Sequence, residues 1–552
     1  DASQSGKGEI WFRITGSNDG KEWTELYKST SITSGQNALE IDINIANYKY
    51  LRLWADKNGG DANDHAVYAD AKIVKESYDL SSEIYQGLQK VSYYDELLSK
   101  NTPEENLENN LDLVLKREFV NRMGYWTLQN TIKDDNTGEM KATMDWILND
   151  KDALQLIIET GNIGDVLKFL NSIKELYTEY KSSLTDTEDG YVYKKMLIAL
   201  AVSYSTDWIA SPLWFSHSSA SYDIVERYRI MKKLYDEGLF PKKEEFKDYS
   251  MELLRFVMND SIANNEVEWL RAYSEMRYPN NLGNRLNPYS YMNYVQPNYN
   301  QDKLYAQENY ETYNNKYKLS QYNIPYGLNE NGSKTSRTWM VMEAGGICWN
   351  ISRLGQNLYK VHGIPAVGIY QPAHEAYLYY SEDNNGNGIW NIGNNISGWG
   401  KSCTGWGGTN VYRLLFNWNN KYFTDKNVNG SNAGNNSGYL LLGQAALNDY
   451  ENYQISFYYN LIANSYQDLS KKEEIYNKSL EELDINLDTY DNLINLYKKQ
   501  ENKTSADWKE LAKKIIDVYT YYPMAMVDLL KVIEPYLNNE DTIEIDILKT
   551  DA

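Results

Sequence analysis

Near residue 80 the hydrophobic period of this chain changes, which rules out one uniform architecture. Before it, Ile10, Phe12 and Ile14 alternate with Trp11, Arg13 and Thr15, and Leu39, Ile41, Ile43 and Ile45 alternate with Glu40, Asp42 and Asn44. A period of two is that of half-buried strands. Asn18-Asp19-Gly20 supplies turn chemistry between the first two strands, and Leu51, Leu53 and Ala55 carry the pattern on. After it, Leu80, Ile84, Leu88 and Val91, and later Val166, Phe169, Leu170, Ile173 and Leu176, recur at helical spacing. A length of 552 residues calls for several domains. Lys plus Arg number 55 against 77 Asp plus Glu, a net charge of −22, which opposes nucleic-acid binding. The strongest apolar run, Met196 to Val202, is far shorter than the ~18 residues a spanning helix needs, so no membrane span is expected. With 50 tyrosines, the surface suits sugars and peptides.

The segments Ser34-Gly35-Gln36-Asn37-Ala38, Tyr50-Leu51-Arg52-Leu53, Asp61-Ala62-Asn63-Asp64-His65-Ala66 and Tyr68-Ala69-Asp70-Ala71 resemble the NPCBM family, carbohydrate-binding family 51. The likeness covers the later half of that module, whose first strands would lie before Asp1. It implies a partial β-sandwich over residues 1–78, a galactose-type glycan or glycoprotein as partner, and a structural calcium. Asp61, Asp64 and Asp70 supply hard oxygen donors of the kind Ca²⁺ takes.

Residues 79–335 read as a large helical region. Tyr193 to Tyr204, apolar nearly all round, is its expected buried centre. A Tyr- and Asn-dense stretch from Pro288 to Tyr326 has no clean period and reads as an irregular segment, functional or packed on a neighbour. Residues 446–552 return to helices, and Leu480 to Asp484 followed by Tyr490, Leu493, Leu496 and Tyr497 resembles one tetratricopeptide helix pair.

The chemistry concentrates in residues 336–445. Gly345-Gly346-Ile347-Cys348 precedes the stripe Ile351, Leu354, Leu358, Val361, ended by Gly363 and Pro365, so Cys348 falls in the first turn of a helix. The unpaired amides and dipole of such a turn favour a thiolate, the reactive form of cysteine. His374 to Tyr380 and Gly388 to Asn394 read as a hairpin around a turn at Ser381 to Asn387. Pairing Tyr380 with Gly388 sets His374 opposite Asn394, on the face of Ala376, Leu378, Trp390 and Ile392, which is expected to pack on the cysteine helix. Nucleophile, base and orienter are what acyl transfer through a thioester requires. Asn395 and Asn391 are alternative orienters; His217 and His362 read as structural. Trp399 and Trp406, around Cys403, read as cleft walls or as a packed turn. A Cys348–Cys403 disulfide, which would silence the nucleophile, is the competing reading.

Gly346-Ile347-Cys348-Trp349, His362-Gly363-Ile364-Pro365-Ala366, His374-Glu375-Ala376-Tyr377 and Trp390 with Asn394 resemble the transglutaminase-like superfamily, which includes peptide N-glycanases and bacterial cysteine peptidases. The family usually has Asp where Asn394 stands. The resemblance implies Cys348, His374 and Asn394 as catalytic residues; Trp349, Trp399 and Trp406 are the expected substrate contacts, and the chemistry expected of these residues needs no cofactor. The expected fold is therefore multidomain α+β: a partial β-sandwich, a large helical region, a transglutaminase-like α+β core and a C-terminal helical bundle. The expected activity is that of a secreted or cell-surface, glycan-targeted acyl-transfer enzyme, hydrolysing amides of a glycoprotein or cell-wall polymer. The alternative is a carbohydrate-binding adhesin or scaffold with an inactive core.

Overall fold

The computed structural model describes residues 9–18, 21–29, 32–33, 41, 48–57, 85–161, 163–205, 223–258, 262–293, 307–324, 326, 338–371, 374–395, 404–405 and 437–551. They divide into two compact units, one within residues 9–57 and one within 85–551. The first is a single antiparallel sheet built on β1 (Glu9–Ser17). β4 (Tyr50–Lys57) pairs along one side of β1, while β2 (Thr24–Lys28) and then β3 (Ile32–Thr33) share the other. The alternation predicted β1 and β4; the second layer of a sandwich is not among the described residues. A bulge at Ile14/Thr15 breaks the register with β2.

The second unit is mostly helical. Its early helices start where short acceptors cap the free amides: Asp150 accepts from the Ala153 N–H at 3.0 Å, and Asp165 from the Lys168 N–H at 3.0 Å. The helix Glu188–Ser205 runs through the middle, and Met196 to Val202 are fully inaccessible, as an all-round apolar segment must be. The Tyr- and Asn-rich stretch breaks into short turns of helix, Pro288–Ser290, Gln307–Asn309, Tyr310–Tyr317 and Leu319–Tyr322.

The C-terminal helices begin with Tyr450–Ser465, Leu469–Glu482 and Leu487–Tyr497 and meet through a buried polar seam. There Ser479 Oγ lies 2.8 Å from both Ser456 Oγ and Thr489 Oγ1, and Asn460 Nδ2 donates to Thr489 Oγ1 at 2.7 Å. The same helices are tied back to the start of the unit. Arg117 donates to the Asn464 carbonyl at 2.9 Å, and both Tyr458 and Gln454 donate to the buried Glu159.

Within this unit sits a second antiparallel sheet, in the order β7-β6-β5-β8: β5 Ala366–Gln371, β6 His374–Glu382, β7 Gly388–Gly393 and β8 Thr404–Gly405. Both faces are covered. Ala376, Leu378 and Trp390 are inaccessible on one side, where Trp390 meets Phe256 of the helix Met251–Met258 edge-on, at 5.8 Å between ring centres. The other side carries the cysteine helix, Cys348–Lys360. The outer edge of β7 is closed by side chains of the helix Ser437–Asn448: Gln444 accepts from the Trp390 N–H at 3.0 Å and Asn448 from the Gly388 N–H at 2.9 Å. That occupies donors which would otherwise template another strand.

Candidate functional site

Cys348 is the first residue of its helix, after Ile347 at the cap position. Asn350 Oδ1 reaches back to the Ile347 N–H at 3.3 Å, and a Cβ on Gly346 would lie 2.3 Å from the Asn350 side chain. Gly346 thus leaves room for the cap. Along the helix Ile351, Leu354 and Leu358 are buried, and the end falls at Gly363, φ +74°, as the stripe and stop signals predicted. Cys348 is half-buried and its thiol is free.

The hairpin register differs from the expected one by two residues. Glu382, not Tyr380, faces Gly388, so Leu378 pairs with Ile392 and Tyr380 with Trp390. The cause is in the turn. Asp383 Oδ1 accepts the N–H groups of Asn385 at 2.8 Å and Asn387 at 2.9 Å, and the Asp383 N–H donates to the Asn387 carbonyl at 2.8 Å, so the loop closes on residues 383 to 387. Those amides hold the Asp383 carboxyl below the usual carboxylate range.

The face assignment is also corrected. The face of Ala376, Leu378 and Trp390 turns to the helix Met251–Met258, whereas the cysteine helix lies on the face of Glu375, Tyr377 and Tyr379. Tyr359 of that helix stacks on Tyr379 at 4.3 Å. Missing side chains make the fit: a Cβ on Gly355 would lie 2.4 Å from the Tyr377 ring, and one on Gly393 2.1 Å from it.

His374 opens β6 opposite Gln371 and shares the Ala376 side of the sheet. Its ring meets Asn394 just past the end of β7, through the main chain: Nε2 lies 2.5 Å from the Asn394 carbonyl oxygen. A carbonyl only accepts, so Nε2 carries a proton, and the neutral tautomer compatible with that bond has its lone pair on Nδ1, the atom a general base needs.

The Asn394 side chain does other work. Nδ2 donates to the carbonyls of Cys348 (2.9 Å) and Glu375 (3.0 Å) and to Ser352 Oγ (2.9 Å), while Oδ1 accepts from the Tyr289 hydroxyl at 2.7 Å. Two carbonyl neighbours fix which end of the amide is nitrogen. Ser352 Oγ also donates to the Glu375 carbonyl at 2.8 Å. Asn394 adopts φ +55°, a left-handed conformation that asparagine tolerates better than most residues. It therefore braces the start of the cysteine helix against the start of β6 and presents its own carbonyl to the imidazole. Among the described residues no hydrogen bond joins Cys348 Sγ to the ring. Asn391, on the opposite parity, donates to Ser381 Oγ at 2.8 Å.

Beneath this node lies a buried ion pair, Arg353 Nε to Glu375 Oε1 at 3.6 Å. Burial pushes the Glu375 carboxyl up to about 7, against the pull of Arg353. Tyr289, bonded to Asn394, and Ile347, which precedes Cys348, are both exposed. The sequence pattern does not single out Tyr289, Ser352 or Glu375; the local signal for Tyr289 is its Asn287-Pro288 start, where Asn287 Oδ1 accepts the Tyr289 N–H at 3.1 Å. His362 is structural, as read. Its Nδ1 donates to the Leu358 carbonyl at 2.7 Å, Nε2 faces Ser274 Oγ at 3.3 Å, and burial together with Arg271 lowers it to about 3.

Trp349 follows Cys348 in the helix. Its side chain, together with Trp399, Trp406, Cys403, His217 and the proposed calcium ligands Asp61, Asp64 and Asp70, lies outside the described residues. Among the described residues no group of three or more His, Cys, Asp or Glu side chains is disposed to hold a metal, and no helix is long and apolar enough to cross a membrane.

Residues 1–74 match the model of the NPCBM/NEW2 domain family. No curated protein and no solved structure matches the chain. The N-terminal match points to carbohydrate binding and includes none of the residues around Cys348.

Proposed function

We propose that the chain is a secreted or cell-surface, glycan-targeted cysteine enzyme that hydrolyses amides of a glycoprotein or cell-wall polymer through a thioester. The observation that carries this reading is the single residue Asn394, whose side chain holds the Cys348 carbonyl and whose carbonyl holds His374 Nε2. In the proposed cycle His374 Nδ1 takes the Cys348 proton and the thiolate attacks the amide carbonyl. The first-turn amides, which have no partner within the helix, stabilise the oxyanion. The C–N bond then breaks as the imidazolium protonates the departing amine. Water, deprotonated by the same ring, hydrolyses the thioester. The exposed Ile347 and Tyr289 would seat the acyl donor, with Trp349, Trp399 and Trp406 as further contacts. In the N-terminal unit Asp61, Asp64 and Asp70 would hold a structural calcium, and no metal takes part in the chemistry.

A second reading, a glycan-binding adhesin with an inactive core, draws on two observations: among the described residues no hydrogen bond joins Cys348 Sγ to His374, and His374 shares the Ala376 side of the sheet whereas the cysteine helix lies on the other. Trapping with an electrophilic glycopeptide library separates the two. Mass spectrometry of the full chain should place the adduct on Cys348, and His374→Gln should remove it. An unlabelled Cys348, with glycan binding retained, leaves the adhesin.

A further inference from the structure

The Arg52 guanidinium of the N-terminal sheet deepens the carbohydrate-binding reading, on which this inference rests. In an antiparallel pair, directly opposed residues share a face. The register of β1 and β4 therefore puts Arg13 with Trp54, Thr15 with Arg52, and Ser17 with Tyr50 on one face of the sheet. The central strand contributes two small residues there, Thr15 and Ser17, both nearly inaccessible. The neighbouring strand carries large ones, with Tyr50 52% and Trp54 40% exposed. Trp23, just before β2, completes the row: the Arg52 guanidinium lies 4.0 Å from the Trp23 ring centre and 5.6 Å from that of Trp54.

The two guanidiniums on this face differ in their partners. Arg13 is matched by Glu25 at 3.4 Å. Arg52, exposed, pairs with no carboxylate of the described residues, although the chain as a whole carries an excess of 22 negative charges. A guanidinium laid against indole keeps its fork of N–H donors in a fixed plane, and that fork matches a carboxylate with two parallel hydrogen bonds. The exposed Trp54 and Tyr50 rings beside it offer flat apolar surface of the kind that receives the C–H face of a pyranose.

We propose that this face binds a carboxylated sugar, with the acid group on Arg52 and the sugar ring on Trp54. The test compares galacturonic acid with galactose, which differ in carrying a carboxylate or a hydroxymethyl group at C6, by calorimetry on the full chain at low and high salt. Expected are at least tenfold tighter binding of the acid at low salt, loss of that preference at high salt as the charge is screened, and its loss in Arg52→Met. Arg52→Lys should retain part of it and Trp54→Ala should weaken both sugars. Equal binding of both sugars, unchanged in Arg52→Met, overturns the inference and leaves the carbohydrate reading intact. Binding of neither sugar, nor of any glycan on a broad array, overturns both. Arg52 is exposed, so an unchanged circular dichroism spectrum of Arg52→Met is expected and attributes its loss to binding.

Discussion

Replacing Asn394 separates what its side chain does from what its backbone does. Its amide has two hydrogens for three acceptors, the Cys348 and Glu375 carbonyls and Ser352 Oγ. At about 1 kcal/mol per hydrogen bond, with the remaining acceptors left buried, Asn394→Gly should weaken the local structure by roughly 2–3 kcal/mol. Glycine carries no penalty at φ +55°, whereas alanine adds about 1–2 kcal/mol there. Asn394→Ala should therefore cost roughly 3–5 kcal/mol. Asn394→Asp is the informative variant, because aspartate tolerates the backbone, still accepts from Tyr289, and is what the transglutaminase-like pattern usually carries at this place. It has no hydrogens for the two carbonyls and sets a carboxylate against them, so it should cost at least as much as glycine. Hydrogen exchange in the first turn of the cysteine helix and the start of β6 reads local opening directly. A loss of 3 kcal/mol appears there as exchange roughly a hundredfold faster, at 1.4 kcal/mol per factor of ten. Wild-type protection in Asn394→Asp would refute the brace, and equal losses in Gly and Ala would refute the backbone part of the argument.

Burial, reinforced by the nearby Glu159 charge, pushes Glu252 up to about 8. A carboxyl raised from 4.5 stabilises the fold fully below pH 4.5 and loses that contribution as pH climbs to 8, at up to about 1.36 kcal/mol per unit. Glu252→Gln keeps an acceptor for Tyr450 and should stabilise the protein by roughly 3 kcal/mol at pH 7 with no gain at pH 4. Parallel urea-stability curves against pH for the two proteins would contradict this. Gly355→Ala places a Cβ 2.4 Å from the Tyr377 ring and should cost roughly 1–3 kcal/mol in thermal unfolding, partly restored by Tyr377→Leu. Chelation by EDTA should leave turnover unchanged while lowering protection of residues 1–74 from proteolysis; loss of turnover would place the metal in the chemistry.

What could be read from the residues and what could not have physical causes. The cysteine helix was legible because Ile351, Leu354 and Leu358 form a stripe and Gly363 must turn left-handed. The hairpin was legible as a hairpin, but its register was set by one carboxylate, Asp383, folding back on Asn385 and Asn387, which a run of turn-forming residues does not single out. Alternation could not tell which side of β6 meets the helix, since Glu375, Ala376, Tyr377 and Leu378 are all buried. Gly355, Gly368 and Gly393 decide it by making room for Tyr377 and Gln356. At the site itself, residue types pointed to His374 and Asn394. Residue type does not distinguish the carbonyl of Asn394, which meets the ring, from its amide, which does not, nor does it signal that Tyr289, from a segment with no period, reaches the same residue.

The central claim is that His374 serves Cys348 as a base. Alkylation of the full chain by iodoacetamide at pH 6, followed residue by residue with mass spectrometry, tests it most directly. The account predicts that Cys348 reacts at least tenfold faster than Cys403 and that His374→Gln abolishes the difference. Equal rates at the two cysteines, unchanged by His374→Gln, would contradict it.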